Sequence, residues 1–192
     1  STAQTFTVTA VPNSVSVSSD PTASMTASSS SDDNLYDIAS ANVATVEVTD
    51  DDVVGVSFST TTPAVLENGG TTTISVVLTS SPTDVVTVTF TSADTTEATV
   101  SGALEFTSLT WSDNQVLTVT GVDDKVDEAS HPTVSVTSAM RSNDGLYEGG
   151  TGTPITVTLT DEDSASLVLS GIAFTVAEDG GAVDVTLRLA TE

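Results

Sequence analysis

Strict alternation between aliphatic residues and threonine is the feature that most constrains how this chain folds. In Ile155–Thr160, Ile, Val and Leu alternate with Thr at every position, and Val86–Phe90 is built in the same way. A period of two places one face of a strand in a core and the other in water. Val and Thr are also strand formers. The alternation therefore predicts half-buried β-strands, and no helical period of useful length competes with it.

Seven segments of this kind follow one another with Gly, Pro and Asp between them. Short strands at this spacing indicate an all-β fold, an Ig-like antiparallel β-sandwich. Trp111, the only tryptophan, precedes a strand and is expected to plug the core. The predicted strands lie near Val53–Ser59, Thr72–Thr79, Val85–Thr91, Ala103–Thr107, Gln115–Val122, Thr133–Thr137 and Ile155–Thr160.

The chain contains an internal repeat of about 111 residues, and self-similarity at one fixed shift is the signature of tandem units. At this shift Ser1–Ser81 overlies Ser112–Glu192 without a gap, and about a third of the pairs are identical. Leu35-Tyr36 falls on Leu146-Tyr147, and Glu67–Gly70 falls on Glu178–Gly181. Low complexity in Ser, Thr and Val does not explain why Tyr, Glu and Gly-Gly coincide at one shift. The sequence therefore predicts tandem sandwiches, and we call the shift one repeat length.

The repeat divides the chain into three parts. Residues 1–52 form the C-terminal part of one repeat, residues 53–163 a complete repeat, and residues 164–192 the N-terminal part of the next. We expect the chain to be a window from a longer array, because half a sandwich exposes strand edges and half a core.

Composition excludes several classes of function. The chain has 27 Asp plus Glu against 3 Lys plus Arg, a formal charge of −24, whereas nucleic acids and anionic membranes attract clustered Lys and Arg. Its 38% apolar content, rich in Val, does not fit a disordered acidic tail. Without Cys there is no disulfide framework or thiolate metal site, and no apolar run is long enough to insert into a membrane. The composition suits a secreted or cell-surface protein, and a bacterial one.

Three strand patterns end in clustered carboxylates. Asp50–Asp52 and Asp161–Asp163 each close a repeat, and the segment Asp123–Glu128 contributes four carboxylates around the only lysine, Lys125. Strand ends that gather negative charge in this way need either a cation or distance between them.

A longer set of motifs resembles the Calx-beta-type repeats of large bacterial surface proteins. These motifs are Glu67–Gly70, Thr91–Val100, Leu104–Phe106 with Trp111, Gln115–Asp124 and Thr160–Asp163. The resemblance covers Val53–Asp163 and implies an Ig-like sandwich with Ca²⁺ at one end. The ligands it implies are Glu67, Asp94, Asp123, Asp124, Asp127, Glu128, Asp161, Glu162 and Asp163.

Topology supports the same grouping. In an up-and-down order of seven strands, the ends of strands 1, 3, 5 and 7 lie at one pole, and those nine carboxylates follow these strands. An excess of oxygen ligands without His or Cys suits Ca²⁺ better than Zn²⁺. The alternative is that acidic turns only keep the surface soluble.

The other two repeats depart from this pattern. The first repeat has Pro12, Asn13, Ser16 and Val17 where the complete repeat has its four loop carboxylates, so we expect weak calcium binding there or none. The third keeps Glu178 and adds Asp179.

Catalysis has little support in the sequence, because the only histidine, His131, lies in an acidic loop before a proline. We expect a structural calcium-binding repeat of an extracellular stalk, fibre or adhesin, stiffened by Ca²⁺ where domains meet. Its partners would be neighbouring repeats and other copies in a fibre or surface layer. The alternative is a partner- or glycan-binding accessory module of a secreted enzyme, for which Tyr36 and Tyr147 are the available stacking residues.

Overall fold

The computed structural model describes residues 4–128, 131–171 and 173–190, which form an all-β protein with a single 3-10 turn at Asn34–Tyr36. None of the helical structure in this part of the chain has the length and apolar character needed to span a bilayer. The strands are β1 (Thr22–Ser29), β2 (Ile38–Glu47), β3 (Val56–Phe58), β4 (Ala64–Leu66), β5 (Thr71–Leu78), β6 (Val86–Ser92), β7 (Ala98–Val100), β8 (Leu104–Phe106), β9 (Gln115–Gly121), β10 (Thr133–Ser142), β11 (Ile155–Thr160), β12 (Leu167–Leu169) and β13 (Leu187–Leu189).

Strands β3 to β11 form the predicted Ig-like β-sandwich. One sheet has the order β4-β11-β10-β6-β8 and the other β3-β5-β9-β7. The alternation in sequence becomes alternation in burial: Ile74, Val76 and Leu78 of β5 are buried, and so are Leu117 and Val119 of β9. The inward faces of both sheets share one apolar core, against which Trp111 packs while partly buried.

The sequence pattern did not reveal two strands, β4 and β7, so the prediction of seven strands in an up-and-down order is wrong. Strand β4 pairs parallel with β11, and β7 pairs antiparallel with β9. Both are too short for a period of two to be recognised. Strand β4 also leaves the sheet that contains β3 and joins the opposite sheet.

Tyr147 belongs to the core and is not a stacking residue for a ligand. It is 1% exposed, and its hydroxyl donates to the carbonyl oxygen of Ser80 at 2.6 Å and lies 2.9 Å from the Ser80 hydroxyl. Tyr36, one repeat length earlier, is 67% exposed.

Two pairs of antiparallel strands flank the sandwich. The N-terminal flank, residues 4–52, contains β1 paired with β2, and the C-terminal flank, residues 164–190, contains β12 paired with β13. Residues 1–3 of the predicted first repeat, 129–130 of the complete repeat, and 172 and 191–192 of the third lie outside the described residues. The division of the chain into three repeats stays a prediction.

Strand registers in the flanks coincide with those of the sandwich at an offset of one repeat length. Thr22 lies opposite Glu47 in the β1–β2 hairpin, and Thr133 lies opposite Thr158 in the β10–β11 pair. In the same way, the β12–β13 pairing reproduces the register of β3 with β5.

Candidate metal centre

The parallel pairing of β4 with β11 brings the first acidic residues together. Leu66 is paired with Thr160, so Glu67 and Asp161 leave the sheet side by side. The backbone N–H of Glu67 donates to the carbonyl oxygen of Thr160 at 3.1 Å. Two carboxylates far apart in sequence are thus fixed at one end of the sandwich.

The end of β9 approaches the same place because residue 121 is glycine. Its backbone N–H donates to the carbonyl oxygen of Gly70 at 3.0 Å. A Cβ at Gly121 would overlap the carbonyl group of Leu66, so a side chain here would push the two segments apart. The segment 122–128 therefore leaves β9 directly beside Glu67.

Strand β7 contributes the last acidic residue. Ala98 is paired with Gly121, and the backbone N–H of Val122 donates to the carbonyl oxygen of Glu97 at 2.8 Å. Glu97 therefore lies at the same end of the sandwich. We call this end the acidic pole, and its members are Glu67, Glu97, Asp123, Asp124, Asp127, Glu128, Asp161 and Asp163.

The centre of the acidic pole is a group of buried carboxylate oxygens. Glu67, which is buried, Glu128, which is half-buried, and Asp124, which is exposed, each place a carboxylate oxygen within 4.8 Å of the others. Glu67 is only 2% exposed. Within the described part of the chain, neither oxygen of Glu67, nor Oε2 of Glu97 or of Glu128, has a hydrogen-bond partner of normal geometry. Buried anionic oxygens without partners are costly, and a bound cation would satisfy them.

The crowding of carboxylates raises the pKa values of two members of the pole, Glu67 and Glu128. Burial, together with the negative charges of Glu128, Asp124 and Asp161, raises the pKa of Glu67 to about 7, and the nearby backbone N–H of Asp124 opposes the shift only in part. Burial also raises the pKa of Glu128, as do the charges of Glu97, Asp124 and Asp161. The pole therefore favours binding of a positive species, either protons or a metal ion.

Asp161 and Asp127 organise the outer side of the pole. The two carboxylate oxygens of Asp161 accept hydrogen bonds from the backbone N–H groups of Glu128, at 2.8 Å, and Asp163, at 2.7 Å. Asp127 accepts one from the backbone N–H of Ala165 at 2.5 Å. The pole is thereby bonded to the start of the C-terminal flank.

Asp163 marks a second concentration of charge beside the first. Burial raises its pKa, and so do the negative charges of Asp161, Asp123, Asp124 and Asp127. Seven of the nine ligands suggested by the sequence therefore belong to the pole: Glu67, Asp123, Asp124, Asp127, Glu128, Asp161 and Asp163.

The structure leaves Asp94 and Glu162 outside this group. The side chain of Asp94 accepts hydrogen bonds from the hydroxyl and the backbone N–H of Thr96, at 2.6 and 2.9 Å, and these lower its pKa. Glu162 is exposed, whereas its neighbours Asp161 and Asp163 are half-buried. Glu97 takes the place expected for Asp94. Its position immediately before the short alternation Ala98-Thr99-Val100 is the only signal in the sequence that pointed to it.

Positive charge does little to offset the pole. Among the described residues the one ion pair joins Arg141 to Glu148 at 2.7 Å, at the opposite end of β10. Lys125 and His131 are both exposed.

The equivalent end of the N-terminal flank is built differently. Asp50, Asp51 and Asp52 place carboxylate oxygens within 4.8 Å of one another. Asp50 accepts hydrogen bonds from the backbone N–H of Val17, at 2.7 Å, and of Asp52, at 3.3 Å, as Asp161 does from Glu128 and Asp163. The difference is that Asn13 and Val17 stand where the pole has Asp124 and Glu128. The predicted weakness of this second site stays a prediction.

No family model matches the chain, and no curated protein does. It is similar to the solved structure of the periplasmic chaperone SfaE, with a TM-score of 0.45, 9% identity, and coverage of 56% of this chain and 57% of that one. For domains 4 and 5 of the S-layer protein SbsC the values are 0.37, 20%, 62% and 58%. The chain thus spans less than two thirds of either protein's length, and the likeness concerns the fold alone.

Proposed function

We propose that this protein is a calcium-binding structural module, a repeat of an extracellular stalk, fibre or adhesin. The observation that carries the calcium site is the set of four buried carboxylate oxygens that lack a hydrogen-bond partner of normal geometry, contributed by Glu67, Glu97 and Glu128. They come from three separate chain segments that the sheet topology holds at one point. An acidic surface that served only solubility would have no reason to bury them.

The donor chemistry favours Ca²⁺ over other metals. Every side-chain donor at the pole is a carboxylate oxygen, and Ca²⁺ takes six to eight oxygen ligands at about 2.3–2.6 Å in flexible geometry. Zn²⁺ selects Cys and His, which are absent from the pole, and Mg²⁺ demands a near-ideal octahedron and retains water. Glu67, Glu97, Asp124, Glu128 and Asp161 would hold a first ion. Asp123, Asp127 and Asp163 would extend the site outward.

The structural role follows from how the pole is connected. Asp127 is hydrogen-bonded to Ala165 at the start of the C-terminal flank, and Asp161 to Asp163 immediately before it. Calcium that orders these two aspartates would also fix the angle at which the next segment leaves the sandwich. Neighbouring repeats, and other copies in a fibre or surface layer, are then the natural partners. A secreted or cell-surface location supplies the millimolar calcium that extracellular modules use.

Thermal unfolding with calcium and with chelator tests the calcium site. A ligand that binds only the folded state stabilises it by about 2.7 kcal/mol at a hundredfold excess over its dissociation constant, so the melting temperature should rise by several degrees. Glu67→Gln combined with Glu128→Gln should remove that rise and the heat of binding in calorimetry. Asp94→Asn is the matched control and should leave both unchanged. Equal melting of the parent with calcium and with chelator would overturn the site.

A further inference from the structure

Asn68 and Gly69 form the only Asn-Gly pair in the chain. The pair lies in the turn between β4 and β5 and directly follows Glu67, the buried carboxylate of the acidic pole. The side-chain amide of an asparagine can be attacked by the backbone nitrogen of the next residue, and asparagine is accordingly one of the thermolabile residues. Glycine presents the least hindered nitrogen for this attack, because it has no Cβ.

The turn leaves this pair open to the reaction. Both residues are exposed, and among the described residues the side-chain amide of Asn68 has no hydrogen-bond partner. Gly69 adopts a φ of 80°, and no atom lies within 4 Å of a Cβ placed there, so the space beside its backbone is free. Its N–H donates to the carbonyl oxygen of Glu67 at 2.5 Å, within the same turn. No strand pairing therefore has to break for the nitrogen of Gly69 to react.

The same turn occurs one repeat length later with an aspartate in place of the asparagine. Asp179 takes the position of Asn68, and Gly180, which follows it, has a φ of 97°. Residues 178–180 form a turn, as residues 67–69 do. A carboxylate is thus compatible with this backbone, and conversion of Asn68 to aspartate does not by itself break the turn.

We propose that Asn68 is a deamidation site whose conversion changes the acidic pole with time. The backbone nitrogen of Gly69 loses its proton to solvent and bonds to Cγ of Asn68, while the side-chain nitrogen leaves as ammonia. The product is a cyclic succinimide. Water then adds to one of the two ring carbonyls and breaks the bond from that carbonyl to the ring nitrogen. Opening at Cγ gives aspartate and opening at the backbone carbonyl gives isoaspartate, so that one water is consumed and one ammonia released.

Both products add a negative charge next to Glu67, but only isoaspartate lengthens the backbone, by one methylene group. The turn has little room for that group, since a Cβ at Gly70 would already lie 2.8 Å from two atoms of Leu66. The carbonyl oxygen of Gly70 also holds the N–H of Gly121 at the end of β9. Isoaspartate should therefore move Glu67 away from β9. Its effect on calcium binding rests on the proposed function, whereas the conversion itself does not.

Incubation of the full chain at neutral pH tests the reaction, with peptide mapping by mass spectrometry and enzymatic methylation of isoaspartate as the readouts. Asn68 should convert many-fold faster than Asn114, which is also exposed but precedes the bulkier Gln115. Asn68→Gln should yield no isoaspartate at residue 68, because glutamine would have to close a larger ring. Equal conversion at Asn68 and Asn114 would overturn the site. So would a folded chain that keeps Asn68 intact while the denatured chain converts it.

Melting in chelator and in calcium tests the effect on the pole. The aged parent should melt below the fresh parent in chelator, because isoaspartate disturbs the turn beside Gly121, and its calcium-induced rise should be smaller. Aged Asn68→Gln is the matched control and should melt like its fresh sample. Fresh Asn68→Asp should retain the calcium-induced rise, because the turn at Asp179 accommodates the same side chain.

The chelator measurement decides the link between the turn and the pole. An aged parent that contains isoaspartate at residue 68, yet melts like the fresh parent in chelator, would overturn that link. A fresh parent without a calcium-induced rise would refute the calcium site alone, since the comparison in chelator would still confirm or refute the effect of isoaspartate.

Discussion

Glu67 is the residue on which the acidic pole depends most. It follows a three-residue strand, it is buried, and three other carboxylates surround it. Its place was predictable from the motif Glu67-Asn68-Gly69-Gly70, whose Gly69 adopts a φ of 80° in the turn that follows. Its burial was not, because β4 shows no alternation long enough to reveal that the chain changes sheets there.

The raised pKa of Glu67 predicts how the calcium-free protein responds to pH. The folded protein holds this proton up to about pH 7, whereas an unfolded chain releases it near 4.5. Stability from this group is therefore full below pH 4.5 and is lost as the pH rises through about 7. In chelator, the free energy of unfolding of the parent should fall across this window by on the order of 1 kcal/mol relative to that of Glu67→Gln. The melting temperature of the parent should fall with it. Parallel profiles would show that the carboxylate is not buried in solution.

A second prediction concerns Tyr147 and its exposed counterpart, Tyr36. Tyr147→Phe removes the partner of the buried Ser80 backbone, and a buried polar group left unsatisfied costs about 1–3 kcal/mol. Tyr36→Phe, at a side chain 67% exposed, should change the free energy of unfolding by less than about 0.5 kcal/mol. Denaturant unfolding of the two variants measures both values. Similar losses for the two would mean that the N-terminal flank is packed as tightly as the sandwich.

Among the strands, those with a long regular alternation were located best, whereas β10 extends to Ser142, five residues beyond its predicted end. The long alternations of β5, β6, β9 and β11 were located to within one or two residues. Strands β4 and β7 were missed, and with them Glu97, whose carboxylate is at the pole only because β7 pairs with β9. Asp94 was predicted as a ligand because the resemblance implies an aspartate in the loop after the third predicted strand. Thr96 binds its side chain locally, as short polar side chains in turns commonly do.

Substitution of Gly121 tests how closely the end of β9 approaches β4. Gly121→Ala would force the end of β9 away from Leu66 and Glu67, and overpacking of this kind costs about 1–3 kcal/mol. Because the same displacement moves segment 122–128, the calcium-induced rise in melting temperature should also shrink. Gly102→Ala is the control, since no atom lies within 4 Å of a Cβ placed there. If both alanine variants melt alike, the close approach of β9 and β4 is not tight in solution.

For the whole molecule, the net charge of −24 is a uniform source of repulsion that any salt will screen. A specific calcium effect must therefore exceed that of sodium chloride at equal ionic strength.

The sequence predicted the fold and most of the pole, since both follow from alternation and from clustered Asp and Glu. The bonds of Asp127 to Ala165 and of Asp161 to Glu128 depend on tertiary contacts that no pattern reveals.

Those bonds predict that calcium changes the shape of the molecule at one junction. In chelator, repulsion among the carboxylates of the pole loosens the start of the C-terminal flank, so small-angle scattering should show a broad distribution of dimensions. Calcium should narrow that distribution and lengthen the particle, whereas sodium chloride of equal ionic strength should not.

The two acidic ends of the chain supply the control for that measurement. Asp124→Asn with Glu128→Gln should abolish the calcium-dependent change in dimensions. Asp50→Asn with Asp52→Asn should leave most of it, because Asn13 and Val17 stand there in place of two carboxylates of the pole and little calcium is expected to bind. An equal loss in both variants would mean that calcium acts on the charge of the chain as a whole. No change in the parent would remove the stiffening role and leave the melting experiment to decide whether calcium binds at all.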